Sequence, residues 1–83
     1  MKVTLSPKAR KALTRSNKRE VLSEKLHQLA ADPDALANNV TQLRGRTEFR
    51  LRVQDWRVIF IRTDDEIVVR DIAPRGSAYE DRT

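Results

Sequence analysis

The residues of this sequence best suited to chemistry are its arginines. Arg50 and Arg52 stand in a stretch where polar and apolar residues alternate, Arg57 and Arg70 border the short apolar runs 58–61 and 67–69, and Arg44 and Arg46 flank Gly45 just ahead of them. Arg75 follows, four positions before Tyr79. A guanidinium keeps its proton at physiological pH and presents a planar fork of donors that matches a phosphate. A cluster of them could therefore hold a phosphodiester backbone and stabilise charge developing on it. Whether these arginines form a cluster depends on the elements that carry them.

From Thr47 onward the apolar period is two: Phe49, Leu51 and Val53 alternate with Glu48, Arg50 and Arg52. Residues 56–62 read as the next strand and residues 66–72 as a third. Gln54-Asp55 is expected as a two-residue turn, although it lacks the usual glycine. Such a turn sets Phe49 against Phe60, Leu51 against Val58 and Val53 against Trp56, an apolar face for helices to cover. Arg52 then faces Arg57 on the other side, beside Arg50 facing Ile59. A second turn near Asp64-Asp65 sets Arg70 opposite Ile59 and Val68 opposite Ile61. Arg50, Arg52, Arg57 and Arg70 thus share one face, with Ile59, Ile61, Val68 and Ile72 between them. Two readings of it stay open. One is a solvated face whose long side chains splay over the isoleucines and bond to Asp55, Glu48 or Asp71. The other is an anion site, extended by Arg44 and Arg46, awaiting an RNA or other phosphate backbone.

The rest of the chain must support that sheet. Residues 2–5 alternate as a short strand, and Ser6-Pro7 is a helix start, with serine to cap and proline for the first position. Ala9, Ala12 and Leu13 give the first helix its stripe. Asn17 and Glu20 have the spacing of a capping box for a second helix, whose apolar face is Val21, Leu22, Leu26, Leu29 and Ala30. Asp32-Pro33-Asp34 ends it, and residues 32–39 read as a loop with a helical turn at 35–37. Residues 73–76 are expected to break the sheet. The reading is α+β: a short N-terminal strand, a two-helix hairpin and a three-strand antiparallel meander, in one domain over residues 1–83, with the helices on one sheet face.

Composition narrows the function classes. Seventeen Lys+Arg against twelve Asp+Glu give +5 in 83 residues, so an acidic partner is expected. The five lysines all precede residue 26, whereas nine of the twelve arginines lie from Arg44 onward. With no cysteine and one histidine, His27, neither a disulfide framework nor a multi-histidine metal site is available, and no cofactor or metal is expected. No signal-type apolar segment follows Met1, and the apolar runs 58–61 and 67–69 are too short to cross a bilayer. A soluble cytoplasmic protein with no membrane partner is the expectation. His27 reads as a surface residue, Trp56 as a strand anchor, and Asp64, Asp65 and Glu66 as turn and edge residues. Ser77 has no histidine or cysteine context for nucleophilic catalysis.

The run Leu43-Arg44-Gly45, then Phe49-Arg50-Leu51-Arg52-Val53-Gln54-Asp55-Trp56-Arg57-Val58-Ile59-Phe60, resembles the sheet signature of the RelE/ParE toxin superfamily. The segment Ile72-Ala73-Pro74-Arg75-Gly76-Ser77-Ala78-Tyr79 is similar to that family's closing segment. The resemblance implies a RelE-like fold and, for the RelE-like branch, metal-independent cleavage of mRNA in the ribosomal decoding site. There the RNA 2′-hydroxyl attacks the adjacent phosphate. By position, Arg57 matches the arginine on the scissile phosphate, and Arg50 and Arg52 match two basic residues before the turn. Arg75 and Tyr79 match a C-terminal arginine and a tyrosine that stacks on a base or aids proton transfer. The better-studied sites carry lysine where this chain has Arg50 and Arg52, and an arginine cannot serve as a base. Proton removal would then fall to Tyr79, with an ordinary pKa of about 10.

The resemblance further implies a cognate acidic antitoxin, in a hetero-oligomer with this chain, as well as ribosome and mRNA as partners. The expected function is thus a ribosome-dependent endoribonuclease toxin that inhibits translation. A ParE-like inhibitor of DNA gyrase without nuclease activity is the alternative, for which 83 residues is short. A non-catalytic nucleic-acid-binding module is another.

Overall fold

Two α-helices cover one face of a five-stranded sheet in the described residues, 1–74 of a computed structural model. Strand β1 (Lys2–Leu5) leads into α1 (Pro7–Arg15) through the expected cap. Ser6 Oγ accepts from the Ala9 N–H at 3.0 Å, and Pro7 fills the first turn, where its missing N–H costs nothing. Helix α2 (Arg19–Ala31) starts otherwise than expected. Asn17 and Glu20 form no capping box: Lys18 is the N-cap, with no side-chain cap bond. Only three residues join the helices, and the corner is closed by buried Ser16, whose Oγ accepts from the Lys18 N–H at 2.9 Å. Asn17 is left exposed in that corner.

The apolar stripe of α2 does what its spacing predicts. Leu22, Leu26 and Leu29 are buried against Leu51, Val53, Val58, Phe60, Ile67, Val69 and Ile72 of the sheet. Each such leucine contributes roughly 1.5–3 kcal/mol by leaving water. After α2 the expected loop is a 3₁₀ helix, Pro33–Asn39, kinked at Leu36, and it leads into β2 (Val40–Gln42), a strand the sequence reading lacks. Three residues are too few to display a period of two; β2 exists because β3 (Phe49–Val53) offers it an edge, pairing Val40 with Leu51 and Thr41 with Arg50.

The sheet order is β1-β5-β4-β3-β2, with β1 parallel to β5 (Glu66–Pro74) and every other pair antiparallel. β3 and β4 (Trp56–Arg62) pair in the expected register, Phe49 with Phe60 through Val53 with Trp56, and the two phenylalanine rings stack with centroids 5.5 Å apart. The turn reverses the chain at Gln54, whose φ is +54°. Gly45, at φ +69°, lies in a second turn, in which Leu43 O accepts from the Arg46 N–H at 3.1 Å.

The pairing of β4 with β5 departs from expectation. Arg62 to Phe60 pair with Ile67 to Val69 in the expected register, but the register shifts between Ile59 and Phe60, so Ile59 faces Asp71 and Val58 faces Ile72. Arg70 is the extra residue of a β-bulge and does not oppose Ile59. Ile72 belongs to the core at 2% exposure rather than to the arginine face. Uninterrupted alternation would send Asp71 into that core and Ile72 out, so one inserted residue restores the apolar parity. β5 also runs on to Pro74 instead of breaking after Ile72, because β1 ends opposite Val69 and a terminal proline there interrupts no inner ladder.

Gln54 occupies backbone space that favours glycine, at a cost of about 1 kcal/mol. Gln54→Gly should therefore raise stability by roughly that amount, seen as a melting temperature higher by about 4–8 °C in thermal unfolding.

A candidate phosphate-binding sheet face

The face of the sheet turned away from the helices is laid out in rungs. One rung runs Arg52–Arg57–Ala73 across β3, β4 and β5, and the next runs Thr41–Arg50–Ile59–Asp71 from β2 to β5. A third sets Ile61 beside Val68 and Thr4. Residues directly opposite in an antiparallel pair have Cβ atoms about 4.5–5.5 Å apart, so Arg52 and Arg57 are near neighbours of like charge. Arg52 and Arg70 are exposed, whereas Arg50 and Arg57 are half-buried. Ile59 is only 6% exposed yet stands apart from the helix-side core, so the arginines rise from an apolar floor of Ile59, Ile61 and Val68. An apolar floor lowers the local dielectric beneath the guanidinium groups and strengthens their pull on an anion.

The acids expected to neutralise this face are committed in part elsewhere. Glu48 Oε1 pairs with Arg46 Nε at 3.2 Å, and Asp71 Oδ2 lies 3.5 Å from Lys8 Nζ on α1. The hydrogen bond from Arg46 holds the Glu48 carboxyl below its usual range, with smaller help from the charge of Arg70. Arg46 is thus anchored in the turn before β3, next to exposed Arg44. Arg62, on the same strand as Arg57, reaches Asp34 at 3.9 Å.

Of the residues singled out by sequence, Arg50, Arg52 and Arg57 stand together on β3 and β4, with Arg70 beside them on the bulge and Arg44 and Arg46 in the adjoining turn. Arg75 and Tyr79 lie outside the described residues. His27 is exposed on α2, and Trp56 packs against the core as a strand anchor. Thr41 joins the face beside Arg50, and no sequence signal pointed to it because β2 itself carried none. Among the described residues no three His, Cys, Asp or Glu side chains gather as a metal site would need. Arginines hold and stabilise anions but do not abstract protons, so the chemistry this face can supply is electrostatic.

Two measurements probe these charges. Arg52→Gln removes a like-charge pair and should stabilise the fold by a few tenths of a kcal/mol, roughly within the range for cross-strand pairs, while weakening retention on a polyanion column. Glu48, with its pKa lowered by folding, adds stability above the ordinary carboxylate range that fades as pH falls through its lowered value. The stability difference between wild type and Glu48→Gln, from denaturant titrations at several pH values, should therefore shrink toward zero on acidification.

Comparison with known proteins agrees with this architecture. No functionally curated protein matches the sequence. A chain of the archaeal RelE–RelB complex from Pyrococcus horikoshii OT3 superposes with a TM-score of 0.76 at 26% identity, over 92% of this chain and 96% of that one. The isolated E. coli RelE toxin gives 0.72 at 20% identity, over 96% and 92%. A mutant of E. coli YafQ gives 0.68 at 18%, over 93% and 96%. At these last two identities the likeness is one of fold. Residues 3–79 match the family described as ParE toxin of type II toxin-antitoxin system, parDE. The match spans nearly the whole chain, and the fold is that of its RelE relatives: this chain is a toxin of the RelE/ParE superfamily and belongs to the ParE toxin family of type II toxin–antitoxin systems.

Proposed function

We propose that this toxin is a metal-independent endoribonuclease that cleaves mRNA on the ribosome, in the cytoplasm, and is silenced by an acidic antitoxin bound to it. The observation that carries this reading is the pairing of Arg52 with Arg57 across β3 and β4, with Arg50 one rung away on the same open face. Like charges directly opposite one another cost stability, and an anionic substrate between them turns that cost into binding. The RelE–RelB complexes among the structural relatives support the antitoxin as a partner.

In the proposed reaction the RNA 2′-oxygen attacks the adjacent phosphorus, the P–O5′ bond breaks, and the departing 5′-oxygen takes a proton from solvent, leaving a 2′,3′-cyclic phosphate and a 5′-hydroxyl. Arg57 and Arg52 meet the negative charge growing on the phosphoryl oxygens, and Arg50, Arg70, Arg44 and Arg46 hold flanking phosphates. Arg75 is assigned to the same phosphate. The proton leaving the 2′-hydroxyl is assigned to Tyr79, whose phenol must fall below its ordinary pKa of about 10 to accept it, as neighbouring arginines would favour.

The test is expression without antitoxin, followed by primer extension on cellular mRNA and by cleavage assays on translating ribosomes. Translation should stop, with mRNA cut within codons. Arg57→Ala should lower the cleavage rate about 10²–10³-fold, as loss of a charge-stabilising donor does. Tyr79→Phe should fold normally and cleave more slowly. Intact mRNA in arrested cells would sink the proposal. A second reading, inhibition of DNA gyrase, is favoured by the ParE description of the matching family. It predicts blocked supercoiling by purified gyrase while translation continues.

A further inference from the structure

We infer that Ser6, on the helix side of the molecule, is a positioning residue that clamps the β5 bulge and so sets the direction of Arg70 on the arginine face. The inference rests on the reading of that face as an RNA-binding surface and adds to it a residue outside the face itself.

Three bonds converge on Ser6. Its backbone N–H donates to Val69 O at 2.9 Å, the last link before β1 leaves the sheet. Its hydroxyl donates to Arg70 O at 2.9 Å. The same oxygen accepts from the Ala9 N–H at 3.0 Å, which fixes the hydroxyl in the first turn of α1. The carbonyls of Val69 and Arg70 are thus both held by one residue, at the point where the register of β5 shifts. Just beyond, Asp71 Oδ1 accepts from its neighbour's N–H, that of Ile72, at 2.9 Å, while Oδ2 faces Lys8 Nζ at 3.5 Å.

A bulge leaves its extra residue without a partner across the strand and disrupts the ladder locally, so bonds from elsewhere help to fix its backbone. Here β1 has already ended, so the edge of β5 from Arg70 onward lacks a strand neighbour on that side. Ser6 supplies the missing partner through a side chain. The direction of the Arg70 peptide sets the direction of its side chain. A guanidinium that must meet a phosphate gains from being held, because less freedom is lost when the anion arrives. Capping alone would need the hydroxyl only as an acceptor. The donation to Arg70 O is a second task, and the two can be separated by mutation.

The probe is a fluorescein-labelled single-stranded RNA oligonucleotide, titrated with the full chain at low salt. Arg70→Gln should weaken binding roughly three- to tenfold, as for one partly exposed charged contact. Ser6→Asp keeps an acceptor for the helix cap but has no proton to give Arg70 O. It should weaken binding by a similar factor, whereas Ser6→Thr, which retains both roles, should bind as wild type does. If Ser6 acts through Arg70, the double variant Ser6→Asp/Arg70→Gln is no weaker than Arg70→Gln alone. Should Ser6→Asp fail to fold, Ser6→Gly takes its place, since glycine is tolerated at helix caps and lacks the hydroxyl. The inference is overturned if Ser6→Asp binds like wild type while Arg70→Gln does not, or if the two losses multiply. Failure of the underlying reading looks different: wild type does not bind the RNA, or binds it with no contribution from Arg50, Arg52, Arg57 or Arg70.

Discussion

Phe49, Leu51 and Val53 face Phe60, Val58 and Trp56 across two antiparallel strands, and α2 covers that face with Leu22, Leu26 and Leu29. The burial leaves the chain no choice about its other face. Side chains alternate strictly along a strand, so committing the aromatic and aliphatic positions to the core commits Arg50, Arg52 and Arg57 to the opposite side. A slip of one residue would bury three guanidinium groups, at a cost of several kcal/mol for each ion. The arginine face is thus held in place by the core behind it more than by any bond among the arginines.

The fifth strand solves a harder problem. It must offer apolar residues to the core at Ile67 and Val69 near β1 and again at Ile72 opposite Val58, an odd spacing that no regular strand can satisfy. The bulge at Arg70 absorbs the mismatch. It also leaves a charged residue at the rim of the face and brings Asp71 level with Ile59, within reach of Lys8. One irregularity thereby joins the core, the N-terminus of α1 and the charged face.

The distribution of charge fits this division of surfaces. Residues 1–19 contain no acid, so the hairpin end of the molecule is basic in its own right, while the acids near the arginine face pair with Arg46 and Lys8. On that face the arginines of β3 and β4 stand over an apolar floor of Ile59, Ile61 and Val68.

Much of this was legible in the sequence because it is local. A period of two over 48–53, with a two-residue turn at Gln54-Asp55, specifies the β3–β4 register and which residues share a face, and Ser6-Pro7 specifies a helix start through bonds within one turn. The face carrying Arg50, Arg52 and Arg57 follows from that local pattern. What the tertiary structure decided is whatever depends on distant neighbours. β2 has no pattern of its own and forms because β3 offers it an edge. The capping pattern at Asn17 yields to a three-residue corner closed by Ser16. The parallel seat of β1 beside β5 follows from how the helices cover the sheet. Ile72 and Arg70 depart from the sequence pattern for the same reason: the parity of β5 is set by Val58 and the core beyond it, and a bulge leaves no mark on the alternation until the partner strand is present. The sequence by itself thus determined the two helices, the long strands and the sharing of one face by Arg50, Arg52 and Arg57; the pairing of β2 with β3 and the packing of β5 against β4 determined what surrounds them.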